Sequence, residues 1–250
     1  TVAEFFAGIG LVRLGLETKG WHIAFANDND PKKYEIYSPN FLNTDQHFQL
    51  CDIKNLRESD IPTVELATAS FPCNDLSLAG TYEGLVGKHS STIWSFIHLL
   101  DEMKERRPKL VMLKNVFSFL SSHNGKDLQS VLLALNDLGY SCDIFSIDAS
   151  HFVPQSRLRL FVIGNQGQGN IMPTMYSSDT RPEKVLNFIY NHPEISWGIQ
   201  PLPLLPTREK NLQDILEEIP HDSPMWWDKK RSEYLRGQMS ERHTTIADGM

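Results

Sequence analysis

Cys73 is the residue in this sequence best suited to act as a nucleophile. It follows the apolar run Leu66–Ala69, within Ser70-Phe71-Pro72-Cys73-Asn74-Asp75-Leu76-Ser77-Leu78-Ala79-Gly80. A free cysteine is usually a small buried hydrophobe. The Pro, Asn, Asp, Ser and Gly around this one instead mark a loop leaving a strand, where a thiolate can attack. Cys51 and Cys142 lack that setting and read as packing residues. A thiol of ordinary pKa, about 8.5, needs cations nearby to ionise. The candidates are Lys114, in Lys114-Asn115-Val116 after the apolar run Leu110–Leu113, and the pair Arg157 and Arg159. The two arginines alternate with apolar residues, so a strand there turns both to one face. Such a pair is either solvated charge on an edge or, beside a reactive cysteine, a means of binding phosphate or polarising a base.

A second group of residues could hold a small molecule. Phe6-Ala7-Gly8-Ile9-Gly10 stands between a strand and a helix, and its glycines allow a tight turn or a close approach to a ligand. Asn27-Asp28-Asn29-Asp30 ends the next strand; an acid about 20 positions after such a turn can bond ribose hydroxyls, while Asp30 before Pro31 suits a helix cap. Asp52, after Cys51, could accept from an adenine amino group or be a plain surface acid.

These residues need strands and helices to position them. Strands are expected at Val2–Phe6, His22–Ala26, Leu66–Ser70, Leu110–Leu113, Ser141–Ile147 and Leu160–Ile163, with helices at Leu11–Thr18, Pro31–Tyr37, Thr92–Arg106 and Lys126–Leu138. The alternation predicts an α/β fold with a doubly wound, mostly parallel sheet, whose ligands lie at the carboxyl ends of its strands. Residues 1–165 are read as the regular domain and 166–250 as a separate, less regular region. The net charge of -7 argues mildly against nucleic acid but leaves room for a local basic groove. No apolar run reaches the ~18 residues of a membrane span, and three cysteines without a C-x-x-C pair suit a reduced, cytoplasmic setting. No metal site is expected.

In this order and spacing, the F-A-G-x-G turn, the P-C loop with D-L-S-x-A-G, the x-N-V triplet and the Q-x-R-x-R strand resemble the cytosine-C5 DNA methyltransferases of bacterial restriction-modification type. The resemblance covers about residues 1–165. It implies a Rossmann-like methyltransferase fold with S-adenosylmethionine as cofactor and S-adenosylhomocysteine as product. It sets Phe6, Ala7, Gly8, Ile9 and Gly10 around the methionine and adenosine, Asp28 and Asn29 at the ribose, and Asp52 and Ile53 at the adenine. Pro72 and Ile93 complete the cofactor set. Cys73 becomes the nucleophile toward C6 of a flipped-out cytosine, Asn115 braces the catalytic loop, and Arg157 and Arg159 lie near the base. The later region, with Trp226-Trp227, becomes the target-recognition part, and double-stranded DNA the partner. A cognate restriction endonuclease and a DNA-associated place in the bacterial cytoplasm go with such enzymes.

Two departures stand out. Lys114 occupies the place where the family carries glutamate. A carboxyl can donate to cytosine N3 and accept from N4, whereas an ammonium only donates; slowed transfer, or a DNA-binding homologue with little turnover, is the expectation. The family's closing arginine motif and G-N-containing helix are also missing before Met250, which points to a partial chain, a second chain completing the fold, or an altered order. An RNA-directed relative is a further alternative, but the cysteine-phenylalanine-threonine motif of the tRNA branch is not found.

Overall fold

The computed structural model describes residues 1–72, 92–167 and 176–248. Cys73 and the rest of its D-L-S-x-A-G loop lie outside the described residues. Seven strands form one sheet: β1 (Val2–Phe5), β2 (Ile23–Asp28), β3 (Phe48–Leu50), β4 (Leu66–Ala69), β5 (Leu110–Val116), β6 (Tyr140–Asp148) and β7 (Leu158–Gln166), in the order β3-β2-β1-β4-β5-β7-β6. Contacts from β3 to β5 are parallel, and β7 runs antiparallel to both β5 and β6. The central strands are buried along their whole length, as apolar runs covered on both faces must be.

Helices α1 (Leu11–Glu17), α2 (Pro31–Asn40) and α3 (Thr44–His47) fall between β1 and β3. One apolar cluster joins Tyr37, Phe48, Ile23 and Val2 there. Helices α4 (Thr92–Glu102) and α5 (Lys126–Asp137) bury Ile93, Phe96 and Leu100, and Leu128, Val131 and Leu135, in the larger cluster. The sequence places most of these elements to within a few residues. It overextends the third helix, which ends at Glu102; Lys104, at φ 48°, starts a separate 3₁₀ turn. It undershoots β5 and β7, whose polar ends still pair in register from Leu110↔Asn165 to Val116↔Arg159.

The chain forms two compact units, Thr1–Glu209 and Lys210–Met250. The first includes residues that composition set apart from the regular domain. Helix α6 (Glu183–Asn191) buries Val185, Phe188 and Ile189, and residues around it return to the sheet edge through Cys142 N–H to Ser196 O, Gly198 N–H to Cys142 O, and Ser146 N–H to Thr180 O. Arg181 Nη2 meets both oxygens of buried Asp143, at 2.8 and 2.6 Å. In the second unit, α7 (Lys229–Gly237) is capped by Asp228, Arg231 lies 4.6 Å from the Trp227 ring, and Arg236 pairs with Asp248 at the end of α8 (Glu241–Asp248). No helix among the described residues is long and apolar enough to cross a membrane.

Candidate active site

A cavity of about 600 Å³ opens at the carboxyl ends of β1, β2, β4 and β5. Its wall gathers the sequence-selected Phe6, Asp28, Asn29, Asp52, Ile53, Pro72 and Lys114 from five separate stretches of chain. Parallel strands of unequal loops converge at this edge, which is why residues more than a hundred positions apart meet. Reasoning from sequence missed Lys33, Lys54, Cys51, Ser70 and Phe71, which share the wall with Thr92, a residue of the Thr92-Ile93-Trp94 segment that the family resemblance sets at the adenine pocket. Lys33 had a legible signal, standing one helical turn beyond the cap Asp30. Cys51 is partly buried, and burial raises its thiol pKa, aided by Asp60 and Asp52.

The glycine turn is organised from within. Asp28 Oδ2 accepts from Gly8 N–H at 2.8 Å, while Oδ1 accepts from Asp30 N–H at 3.0 Å and from Lys33 Nζ at 3.3 Å. A carboxylate has about four lone-pair sites, so three donors leave one for a ligand hydroxyl. Phe6 takes φ 56° to enter the turn, and Ala7 N–H donates to Asn27 O. Gly10 serves packing: a Cβ there would lie 2.2 Å from the Phe41 ring, and its φ is 86°. Asp30 caps α2 through Lys32 N–H, with Pro31 first in the helix, as its position implied. Asp52 Oδ1 accepts from Lys54 N–H at 3.0 Å, so most of its acceptor capacity faces other partners.

Other selected residues stand apart from the cavity wall. Ile93 is fully buried in the core, and its neighbour Thr92 reaches the wall instead. Asn115 is buried behind Lys114; its Nδ2 donates to Phe71 O at 3.4 Å and its Oδ1 accepts from Val116 N–H at 2.7 Å. It thereby fixes the backbone two residues before Cys73. Arg159 lies in β7 opposite Val116, while Arg157 precedes the strand and is exposed, its N–H held by Asp148 Oδ1 at 2.9 Å. The Ser150 N–H foremost, then that of Arg157 and the Ser156 hydroxyl, hold the Asp148 carboxyl pKa down at about 2. The expected strand pair of arginines is therefore one strand residue and one loop residue.

Beneath the turn, Glu4 of β1 is buried with neither carboxyl oxygen hydrogen-bonded, beside Thr68, whose Oγ1 also lacks a partner. Burial pushes its pKa up to about 8, against the lowering influence of Arg13. Arg13 itself is spent on Glu17, Tyr37 and His47, with the Phe41 ring 4.2 Å away.

The cavity's size is that of a small-molecule site. Its mixture of Phe6, Ile53, Phe71 and Pro72 with two carboxylates and asparagine suits a nucleoside bearing a polar tail. These residues fit S-adenosylmethionine.

Comparison with known proteins agrees with this geometry. The family model for C-5 cytosine-specific DNA methylase matches residues 1–248. The Type II methyltransferase M.BsuFI of Bacillus subtilis is 30% identical over 201 residues, 80% of this chain and 47% of that protein. M.HhaI of Haemophilus parahaemolyticus is 30% identical over 169 residues, 67% of this chain and 50% of that protein. The chain thus spans about half the length of the curated relatives it matches. Among solved structures, the S. pombe Dnmt2 methyltransferase superposes with a TM-score of 0.54 at 23% identity, over 71% of this chain and 53% of its own. The Entamoeba histolytica methyltransferase EhMeth gives 0.54 at 20%, over 70% and 55%. These two share the fold. By its matched motifs and the extent of the family match, the chain belongs to the C-5 cytosine-specific DNA methylase family.

Proposed function

We propose that this chain methylates C5 of a cytosine in double-stranded DNA, using S-adenosylmethionine and Cys73 as nucleophile. The observation that carries the reading is the cavity at the strand ends, where Phe6, Asp28, Asn29, Asp52, Ile53 and Pro72 converge one residue before Cys73 in the chain. When bound, S-adenosylmethionine supplies an electrophilic methyl group on a sulfonium. Asp28 would offer its remaining lone pair to a ribose hydroxyl, Asp52 would accept from the adenine amino group, and Ile53 would pack beside the ring. The turn Phe6-Ala7-Gly8-Ile9-Gly10 borders the methionine end.

The target atom is hidden within a duplex, so the base is flipped out at a cost of a few kcal/mol. The Cys73 thiolate would add to C6 and make C5 nucleophilic; the cofactor would supply the methyl group and leave as S-adenosylhomocysteine; a base would then remove the C5 proton as the C6–S bond breaks, returning the thiolate. Asn115 acts by positioning the segment before Cys73. Lys114 favours the thiolate and can donate to N3 but cannot accept from N4. Arg157 and Arg159 act on the flipped base or its phosphate. The region from residue 166 onward, chiefly Lys210–Met250, reads the target sequence.

A second reading, a DNA-binding homologue with little turnover, is favoured by one observation: Lys114 stands on the cavity wall where the chemistry calls for a group that both donates and accepts. Incubation with methyl-labelled S-adenosylmethionine and mixed DNA or RNA separates the readings. Label in 5-methyldeoxycytidine supports the first; cofactor binding without transfer to either polymer supports the second. Label in RNA alone overturns both. The existence of a cognate endonuclease or a completing second chain is tested by what copurifies with the full-length protein.

A further inference from the structure

A second concavity, a groove of about 770 Å³, runs between the irregular helical turns Phe117–Gly125 and α6. It starts at Val116, two residues beyond Lys114 on β5, so cavity and groove are about 7 Å apart along one strand. No residue lining it is acidic, although the chain carries a net charge of -7. Half-buried Phe117 contributes aromatic surface, and buried Phe188 backs His192, whose ring stacks on it at 4.1 Å.

The α6 side presents Lys184, Asn187 and Asn191, spaced three and four apart and so in one row. None of these three side chains hydrogen-bonds to another described residue. His192 closes the row. Its Nδ1 lies 2.7 Å from Phe188 O, and because a carbonyl only accepts, Nδ1 carries the hydrogen and Nε2 is left for an outside partner. The opposite rim is held in an unusual shape. His123, Asn124 and Gly125 have φ of 45°, 59° and 85°, three left-handed residues in succession, and Asp127 pins them by accepting from Ser122 Oγ and from His123 Nδ1 at 2.9 Å. The strain brings Asn124 to the groove.

We propose that this groove holds the nucleotide next to the target base on the same DNA strand. The inference rests on the DNA reading above. Aromatic surface suits base stacking, carboxamides suit base edges and sugar, and a lysine in a groove lined by no carboxylate suits phosphate. Charge complementarity and continuity with the cofactor cavity argue for a nucleic-acid strand over an apolar peptide.

The test is fluorescence anisotropy with a labelled random-sequence 30-base-pair duplex and saturating S-adenosylhomocysteine, over a salt series. The proteins compared are the wild type and Lys184→Glu/Asn187→Asp, both positions being exposed on α6. Binding of S-adenosylhomocysteine by calorimetry should be unchanged, as a check on folding. The expected result is at least a tenfold loss of duplex affinity, and a log–log salt slope shallower by about 1. Equal affinity and slope in both proteins would overturn the groove assignment and leave the methyltransferase reading standing. If the wild type binds the cofactor product but no duplex, the DNA reading fails, and the groove assignment with it.

Discussion

On the proposed reading, Lys114 is the residue most consequential for the rate of methyl transfer. It lies on the cavity wall, immediately before the buried Asn115 that grips Phe71 O. A donor-only ammonium beside a cytosine loses the acceptor that N4 requires, and a well-placed acid contributes roughly 10²–10⁴ in rate. Lys114→Glu should therefore raise methyl transfer to DNA by about that factor; equal single-turnover rates in the two proteins would contradict the argument. Glu4 gives a pH prediction with a definite sign. Its folded pKa is about 8 against an ordinary 4.5, so between these values the unfolded chain binds fewer protons than the folded one. Stability then falls as pH rises through that window. Glu4→Gln removes the dependence, and its melting temperature relative to wild type should climb by several degrees from pH 5 to pH 8. A constant difference across that range would show that Glu4 is ionised in the folded chain as it is in the unfolded one.

At the scale of elements, what the sequence revealed depended on how the pattern was written. Helices with a clear apolar period, α4 and α5, and strands in continuous apolar runs, β1 and β4, were legible because burial on both sides of the sheet demands those runs. The three-residue β3 and α6 were not, since neither run is long enough to stand out against loop residues with mixed polarity. The polar segment around α6 is tied to β6 by the buried Arg181–Asp143 pair, a long-range contact that no local pattern announces. Removing one member of such a pair leaves a buried charge uncompensated. Asp143→Ala should cost about 3–5 kcal/mol in urea unfolding, whereas a loss below about 1 kcal/mol would mean that the tether contributes little. The glycine turn carries the opposite lesson: F-A-G-I-G read as either a tight turn or a ligand loop, and the resemblance set all five residues at the cofactor, yet Gly10 answers to Phe41 and only Phe6 of the five lines the cavity. Substituting Gly10→Ala should destabilise the fold by about 1–3 kcal/mol through φ strain and overpacking; unchanged stability would mean that Phe41 moves aside freely.

For the whole molecule, the ordered motifs carried the family and the cofactor cavity, because parallel strands bring their carboxyl ends to one edge whatever their separation in sequence. Composition could not mark the unit boundary at Glu209, since the Gly- and Pro-rich stretches before it interrupt residues that still pack into the first core. On the proposed reading, Cys73 attacks cytosine. The most direct measurement uses duplex DNA with 5-fluorocytosine in place of cytosine, incubated with S-adenosylmethionine and resolved by denaturing electrophoresis and peptide mass spectrometry. Fluorine at C5 blocks the final elimination, so the account predicts a covalent protein–DNA adduct mapped to Cys73 and abolished by Cys73→Ala. An equal yield of adduct from Cys73→Ala, or methylation of ordinary cytosine by a wild type that forms no adduct, would contradict it.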